Sequence, residues 1–243
     1  MAIKKAASTG DEAAFRAALE AAAGAVGGVL EAHCVQKMWQ HFLLVVEANR
    51  RVNVTRITDP AEAAVKHYAD SLTLLACPNA RPAESCDLLD VGTGAGFPAV
   101  PLAIACPAWR IVAIDATAKK VRFVQQAAAR LALTNVQVFH ARAADWNPGQ
   151  PGCFDRVVLR AVAKIAPGLA EVLRLVRPGG EIVFYKTARI EPAEIEAGRW
   201  AARQYGLEEL PPVAVELPAG PEGSLHRRLV RYRRKPDRLR SNP

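Results

Sequence analysis

The sequence predicts an α/β fold: a doubly wound, mostly parallel sheet of about seven strands, preceded by an N-terminal helical extension. Three observations carry that expectation. A glycine-rich turn, Gly92-Thr93-Gly94-Ala95-Gly96, joins a short apolar strand pattern to an apolar helix pattern. Strand-length and helix-length segments then alternate as far as Lys186. Two strand patterns in succession, 212–217 and 225–232, close the chain as an antiparallel pair.

Taken in order, residues 1 to about 28 are rich in Ala and Gly, and a frayed helix or disorder is expected there. Val35, Met38, Phe42, Val45 and Val46 form a helical stripe. Asp59-Pro60 reads as a cap and first turn opening a helix over 61–76. Its His67 and Ser71 share a face, with Asp70 beside them; catalysis is the sharper account of this trio, and a surface hydrogen-bonding cluster is the one that spacing favours. Leu88, Leu89 and Val91 mark a strand buried on both faces. After the turn, Ala99 to Ala105 reads as a helix, with Pro98 where proline is tolerated. Further strands are expected at 110–115, 136–140, 154–160 and 181–186. Helices are expected at 118–132, at 166–176 and after Pro192, with Arg177-Pro-Gly-Gly180 as a helix stop. The expected division is an extension over 1–34, a helical cap over 35–80, a ligand-binding domain over 81–235 and a basic tail over 236–243.

Composition bounds the function. The 243 residues contain no apolar run long enough to span a bilayer, and Met1-Ala-Ile-Lys-Lys5 does not open a signal peptide, so a cytoplasmic location is expected. Five cysteines lack a C-x-x-C pair and read as buried thiols, and with scattered histidines no metal site is expected. The formal charge is +8. From His226 to the end there are eight Lys or Arg against one Asp, a net of +7, so the other 225 residues carry +1. Charge gathered at one end points to a phosphate-rich partner, with Arg231, Arg233 and Arg234 as candidate contacts; a solvated tail is the alternative.

The turn narrows the ligand. Its spacing is G-x-G-x-G, not the G-x-G-x-x-G of dinucleotide sites, and Phe97 stands where the third glycine of such a site falls. With Asp90, the pattern resembles the first motif of the S-adenosylmethionine-dependent methyltransferases. Asp115 ends the next strand 23 residues after Gly92, near the interval at which a carboxylate meets a ribose; capping the helix after Thr117 is the alternative.

With these residues in view, the chain resembles the bacterial glucose-inhibited division protein B family. The resemblance runs from about Trp39 to the C-terminus. It is carried by Asn53-Val-Thr55, by His67-Tyr-Ala-Asp-Ser-Leu72 and by Leu89-Asp-Val-Gly-Thr-Gly-Ala-Gly-Phe-Pro98. Arg122-Phe123, Arg160-Ala161 and Arg177-Pro-Gly-Gly180 complete it. It implies a class I, Rossmann-like methyltransferase that places a methyl group from S-adenosylmethionine on guanine N7 of 16S ribosomal RNA. By the same resemblance Gly92, Gly94 and Phe97 line the cofactor pocket and Asp115 holds the ribose. Ala143 and Ala144 would lie beside the adenine, and Arg160 would touch cofactor or RNA near the methyl group. The chain departs from the family at Ala144, where an acid is frequent and here comes one place later as Asp145, and at Ala99, where glycine is frequent. Small-subunit RNA is the implied partner, and a monomer is expected. No acid–base pair is expected in the pocket, because guanine N7 carries a free lone pair. The alternatives are a nicotinamide-dependent oxidoreductase, which the glycine spacing disfavours, and a non-catalytic RNA-binding module on the same fold.

Overall fold

β1 (Cys86–Val91) is an interior strand of the sheet, and the alternation of its side chains sets the layers. Leu88 enters one apolar cluster and Leu89 the other, because successive strand residues point to opposite faces. On β4 (Phe154–Arg160) Val158 goes with Leu88, while Val157 and Leu159 go with Leu89. On β5 (Val176–Thr187) Val183 goes one way, and Ile182 and Phe184 the other. Strands apolar on both sides need helices on both sides. The structure, a computed structural model, describes residues 8–26, 30–50, 53–147, 149, 152–220 and 223–236.

Together with β2 (Trp109–Asp115), β3 (Val136–His140), β6 (Leu207–Pro218) and β7 (Ser224–Arg234), these strands form a seven-stranded sheet in the order β3-β2-β1-β4-β5-β7-β6. β1 to β5 are parallel, and β7 runs antiparallel to both β5 and β6. This is the expected fold. The chain winds outward from β1 in one direction and from β4 in the other, so the carboxyl ends of β1 and β4 flank a topological switch point, where open α/β sheets bind ligands.

One face of the sheet is covered by α1 (Thr9–Ala23), α2 (Ala32–Asn49) and a helical segment over 60–76. That segment comprises α3 (Pro60–Ala63), a π-helical turn (Ala64–Ala69), α4 (Asp70–Leu72) and a 3-10 turn (Thr73–Ala76). α5 (Ala99–Ala105) and α6 (Ala118–Arg130) pack on the same face. α7 (Ile165–Val172) and α8 (Pro192–Gln204) cover the other. Among the described residues no helix is long and apolar enough to cross a membrane.

Three expectations need correction. The N-terminal stretch is not frayed between residues 9 and 23: Ser8 and Asp11 close a capping box on α1. Phe15 and Leu19, four apart on that helix, are fully buried, with the Phe15 ring against Trp39, Phe42 and Tyr68. Residues 1–7 and 27–29 of the proposed extension lie outside the described residues. The second correction concerns Arg177-Pro-Gly-Gly180. α7 ends at Val172, and this tetrapeptide lies within β5, where the register against β4 shifts between Phe154 and Arg156. Gly179, at φ +81°, supplies the bulge, and a Cβ on Gly180 would come within 2.9 Å of the Asp155 carbonyl.

The third correction concerns the basic end. Arg231 is 3% exposed and its guanidinium donates to both Glu181 oxygens, at 2.9 and 3.1 Å from Nη2. Arg233 pairs with Glu181 and Glu208, and Arg234 donates to the Val176 carbonyl. These three arginines fasten the last strands to the sheet rather than presenting a free cationic surface. The tail from residue 237 onward lies outside the described residues.

Candidate active site

A cleft of about 420 Å³ opens at the carboxyl ends of β1, β2 and β4, within the usual size range of small-molecule sites. Its floor is the glycine turn. Gly92, Gly94 and Gly96 all hold positive φ, +75°, +61° and +93°, the left-handed region that costs L side chains energy. They differ in what they face. A Cβ on Gly92 would strike Val162, and one on Gly96 would lie 2.7 Å from Val100. A Cβ on Gly94 would meet nothing nearer than the Gly92 carbonyl at 4.0 Å. Two glycines therefore serve the protein's own packing, and Gly94 leaves its backbone open to the cleft.

Asp90, fully buried at the end of β1, accepts from the Ala99 amide at 3.2 Å and so ties the strand to the first residue of α5. Burial pushes its pKa up to about 6, against the opposing pull of the Thr93 hydroxyl, the Ala99 amide and Arg160. Asp115 lines the cleft at the end of β2. Its Oδ2 accepts from the Gly94 amide at 2.9 Å and its Oδ1 from the Thr117 amide at 2.8 Å. The carboxylate thus fixes the glycine turn and the entry to α6 together. Each oxygen has two lone pairs and uses one, which leaves an acceptor site on each for vicinal hydroxyls. Thr117 is the N-cap of α6 and no side chain caps that helix, so Asp115 makes a turn ahead of the helix and is not its cap, and the ribose reading is the one this geometry leaves open.

Phe97 lines the cleft but is only 5% exposed. Its ring turns away from the sheet into the N-terminal helices, T-shaped to Tyr68 at 5.1 Å and to His41 at 5.3 Å. It therefore leaves the strand–helix contact behind the turn uncrowded, although it stands where a dinucleotide site has its third glycine. His67 stacks on Phe97 with ring centroids 4.6 Å apart and lines the same cleft. Its Nε2 lies 2.8 Å from Thr55 Oγ1, and the Thr55 and Val54 amides donate in turn to Asn49 Oδ1. Burial first, and the charge of Arg160 second, push the His67 pKa down to about 4.

Arg160 leaves the end of β4 beneath Phe97, its guanidinium carbon 5.4 Å from the ring centroid. Nη1 donates to Asp70 Oδ2 at 2.8 Å and to the His67 carbonyl at 3.4 Å. Asp70, with a side chain 3% exposed, also accepts from Arg227 Nε at 2.5 Å. The surface cluster expected around His67, Asp70 and Ser71 is therefore interior: Asp70 and Ser71 are buried, and His67 is a wall of the cleft. The next residue, Ala161, sits at φ +58°, a strained setting for a residue with a Cβ, and carries Val162 over Gly92.

Ala143 lines the cleft and is 4% exposed, whereas Ala144 is exposed and outside the lining. Both carbonyls accept from Arg174 Nη2, at 2.8 and 3.0 Å. The cleft is also lined by Val54, from the Asn53-Val-Thr55 motif, and by Lys120 and Arg142, which the sequence did not mark out. Lys120 and Arg142 each follow a strand-ending segment, but nothing in their spacing separates them from ordinary surface cations.

Comparison with known proteins bears on this arrangement. The model of the family described as rRNA small subunit methyltransferase G matches residues 34–213. The chain belongs to the rRNA small subunit methyltransferase G family. The Ribosomal RNA small subunit methyltransferase G of Limosilactobacillus reuteri (strain DSM 20016) is 36% identical over 200 residues, 81% of this chain and 82% of that one. The Sorangium cellulosum (strain So ce56) protein of the same name is 38% identical, over 74% of this chain and 75% of its own. Among solved structures, M. jannaschii TYW2 in complex with AdoMet aligns with a TM-score of 0.51 at 20% identity, over 63% of this chain and 70% of that one, a likeness of fold. As a member of the rRNA small subunit methyltransferase G family, the chain is an S-adenosylmethionine-dependent enzyme of ribosomal RNA.

Proposed function

We propose that this cleft holds S-adenosylmethionine against the glycine turn and that the chain transfers its methyl group to N7 of one guanine in 16S ribosomal RNA. The observation that carries the reading is the joint placement of Gly94 and Asp115: an open backbone beside a carboxylate with one free acceptor site on each oxygen. The residues fit the cofactor. Asp115 would take the ribose hydroxyls, Ala143 would lie along the adenine, and Gly92, Gly94 and Phe97 would frame the rest. Ala144 would contribute only by holding the Ala143 loop through Arg174. When bound, the cofactor supplies an electrophilic methyl group on a sulfonium sulfur.

The chain's task is then alignment and shielding. The stacked His67 and Phe97 rings close one side of the cleft and keep water from it. Arg160 is held by Asp70 through Nη1, and its Nε and Nη2 have no partner among the described residues, so those donors remain for an acceptor on a bound ligand. No side chain has to remove a proton, because guanine N7 attacks through a free lone pair. His67, held neutral down to about pH 4, is a wall rather than a base. In this reading the enzyme works in the cytoplasm as a monomer, with small-subunit RNA as its macromolecular partner. Calorimetry with S-adenosylmethionine and single-turnover transfer by Arg160→Lys test it together. The lysine keeps the charge but loses the guanidinium fork, so cofactor affinity should hold while the transfer rate falls. Wild-type rates in Arg160→Lys would remove Arg160 from the reacting centre.

A further inference from the structure

A second cavity, of about 350 Å³, lies on the far side of Arg160 and Ala161, at the carboxyl ends of β4 and β5 and the start of α8. Those two residues line both cavities and so form a wall that the two share. Most of the charges around the second cavity are already matched. Asp70 is taken by Arg160 and Arg227. Glu194 is taken by Lys186 at 2.7 Å and by the Ile165 amide at 3.1 Å. Two charges on that lining are unmatched: the Arg189 guanidinium has no partner among the described residues, and neither does the Glu191 carboxylate. Glu191 stands at the N-terminal cap of α8 without making a side-chain cap. The cavity therefore offers free guanidinium donors from Arg160 at its inner wall, a second free guanidinium at Arg189 and a free carboxylate at Glu191.

We propose that this second cavity receives the target guanine, with Glu191 binding its N1–H and N2 amino group. The proposal rests on the methyltransferase reading above and adds to it the residue that selects the base. Guanine carries two acceptors, N7 and O6, side by side, and two donors, N1–H and the N2 amino group, on the adjoining edge. With N7 turned across the shared wall toward the cofactor cleft, O6 falls next to the donors of Arg160. The N1–H and N2 donors then point away from that wall, into the part of the cavity where Glu191 stands. Adenine in the same pose presents an amino group to a guanidinium and a lone pair to a carboxylate, so both contacts become repulsive. When N7 gains the methyl group the ring becomes cationic, and a carboxylate on its Watson–Crick edge stabilises that charge as it develops.

The test uses the full-length enzyme and a synthetic RNA spanning the guanine that the wild type methylates, made with guanosine or with inosine at that position. Inosine keeps N7, O6 and N1–H but lacks the N2 amino group. Single-turnover transfer by Glu191→Gln to the guanosine RNA should fall roughly ten- to a hundredfold, as expected for lost charge-assisted hydrogen bonds. Cofactor affinity by calorimetry should be unchanged, since Glu191 does not line the first cleft. Replacing guanosine by inosine should slow the wild type severalfold more than it slows Glu191→Gln, because the two changes delete the same contact. Glu191 is exposed and holds nothing else together, so loss of fold is not the expected cause of a defect. If wild type transfers methyl normally and Glu191→Gln keeps its rate within threefold, the assignment of Glu191 is overturned. An equal inosine effect in both enzymes overturns it too, as does a loss of cofactor affinity in Glu191→Gln. A wild type that moves no methyl group at all instead removes the reading beneath it.

Discussion

His41 gives a prediction that can be worked through from its surroundings. The imidazole is fully buried, its Nδ1 lies 2.9 Å from the Tyr68 hydroxyl, and its Nε2 has no hydrogen-bond partner among the described residues. Burial, aided by His67, pushes its pKa down to about 3. In the unfolded chain the same ring takes up a proton near the ordinary histidine value, about 6.5. Between those two values the unfolded state binds one more proton at this position, so stability increases as pH rises and is lost as pH falls. One such proton is worth about 1.4 kcal/mol per pH unit. His67 acts in the same sense above about pH 4. Asp90 acts in the opposite sense: its pKa, raised from 3.8 to about 6, makes the folded state the one that binds the extra proton across that interval.

From pH 4.5 to 5.5 these three groups sum to one net proton, a rise of roughly 1.4 kcal/mol per pH unit. In His41→Gln they sum to none. Urea unfolding at half-unit steps of pH from 4.5 to 7.5 measures both slopes, and taking their difference cancels the other titrating groups. The variant's slope should be shallower by about 1.4 kcal/mol per pH unit, with the two curves running parallel above pH 7. Parallel curves throughout the acid range would show that His41 is accessible to protons in the folded state, against its packing between Tyr68, Phe97 and Phe123.

Three further outcomes follow from the site. Asp115→Asn should weaken S-adenosylmethionine binding by ten- to a hundredfold, the effect of about 1.5–3 kcal/mol for a charged acceptor, and unchanged affinity by calorimetry would leave Asp115 as a brace for the glycine turn alone. Asp70→Ala strips the counter-charge from two largely buried guanidinium groups, Arg160 and Arg227, with side chains 14% and 18% exposed. It should cost about 3–5 kcal/mol of unfolding free energy, and a loss below about 1 kcal/mol would mean that solvent or relaxation already screens both arginines. Single-turnover methyl transfer should be level from pH 6 to 8.5 and mostly retained in His67→Gln. A rising limb that vanishes in the variant would identify His67 as a general base.

The strand, glycine turn and helix around Gly94 were legible because each is a local pattern, and the interval to Asp115 is set by the length of one βαβ unit. What the sequence hid was long-range. Arg231 reads as a free cation until Glu181, fifty residues away, is seen beside it. Asp70 reads as a surface acid until the ends of β4 and β7 bring two arginines onto it. In α1, the Ala-rich composition masks the spacing of Phe15 and Leu19, whose burial depends on rings supplied by α2 and the 60–76 segment. The glycines, in turn, looked equivalent because their spacing says nothing about Val162 and Val100, which fill the space beside two of them.

The most direct test of the central claim is methyl transfer itself. The purified full-length protein would be incubated with small-subunit ribosomal RNA and S-adenosylmethionine labelled in the methyl group, and the RNA digested to nucleosides. The label should run with 7-methylguanosine, reach about one methyl group per RNA and fall steeply in Asp115→Asn at limiting cofactor. Label on another nucleoside, on another atom of guanine, or no label from a protein that binds the cofactor would contradict that claim.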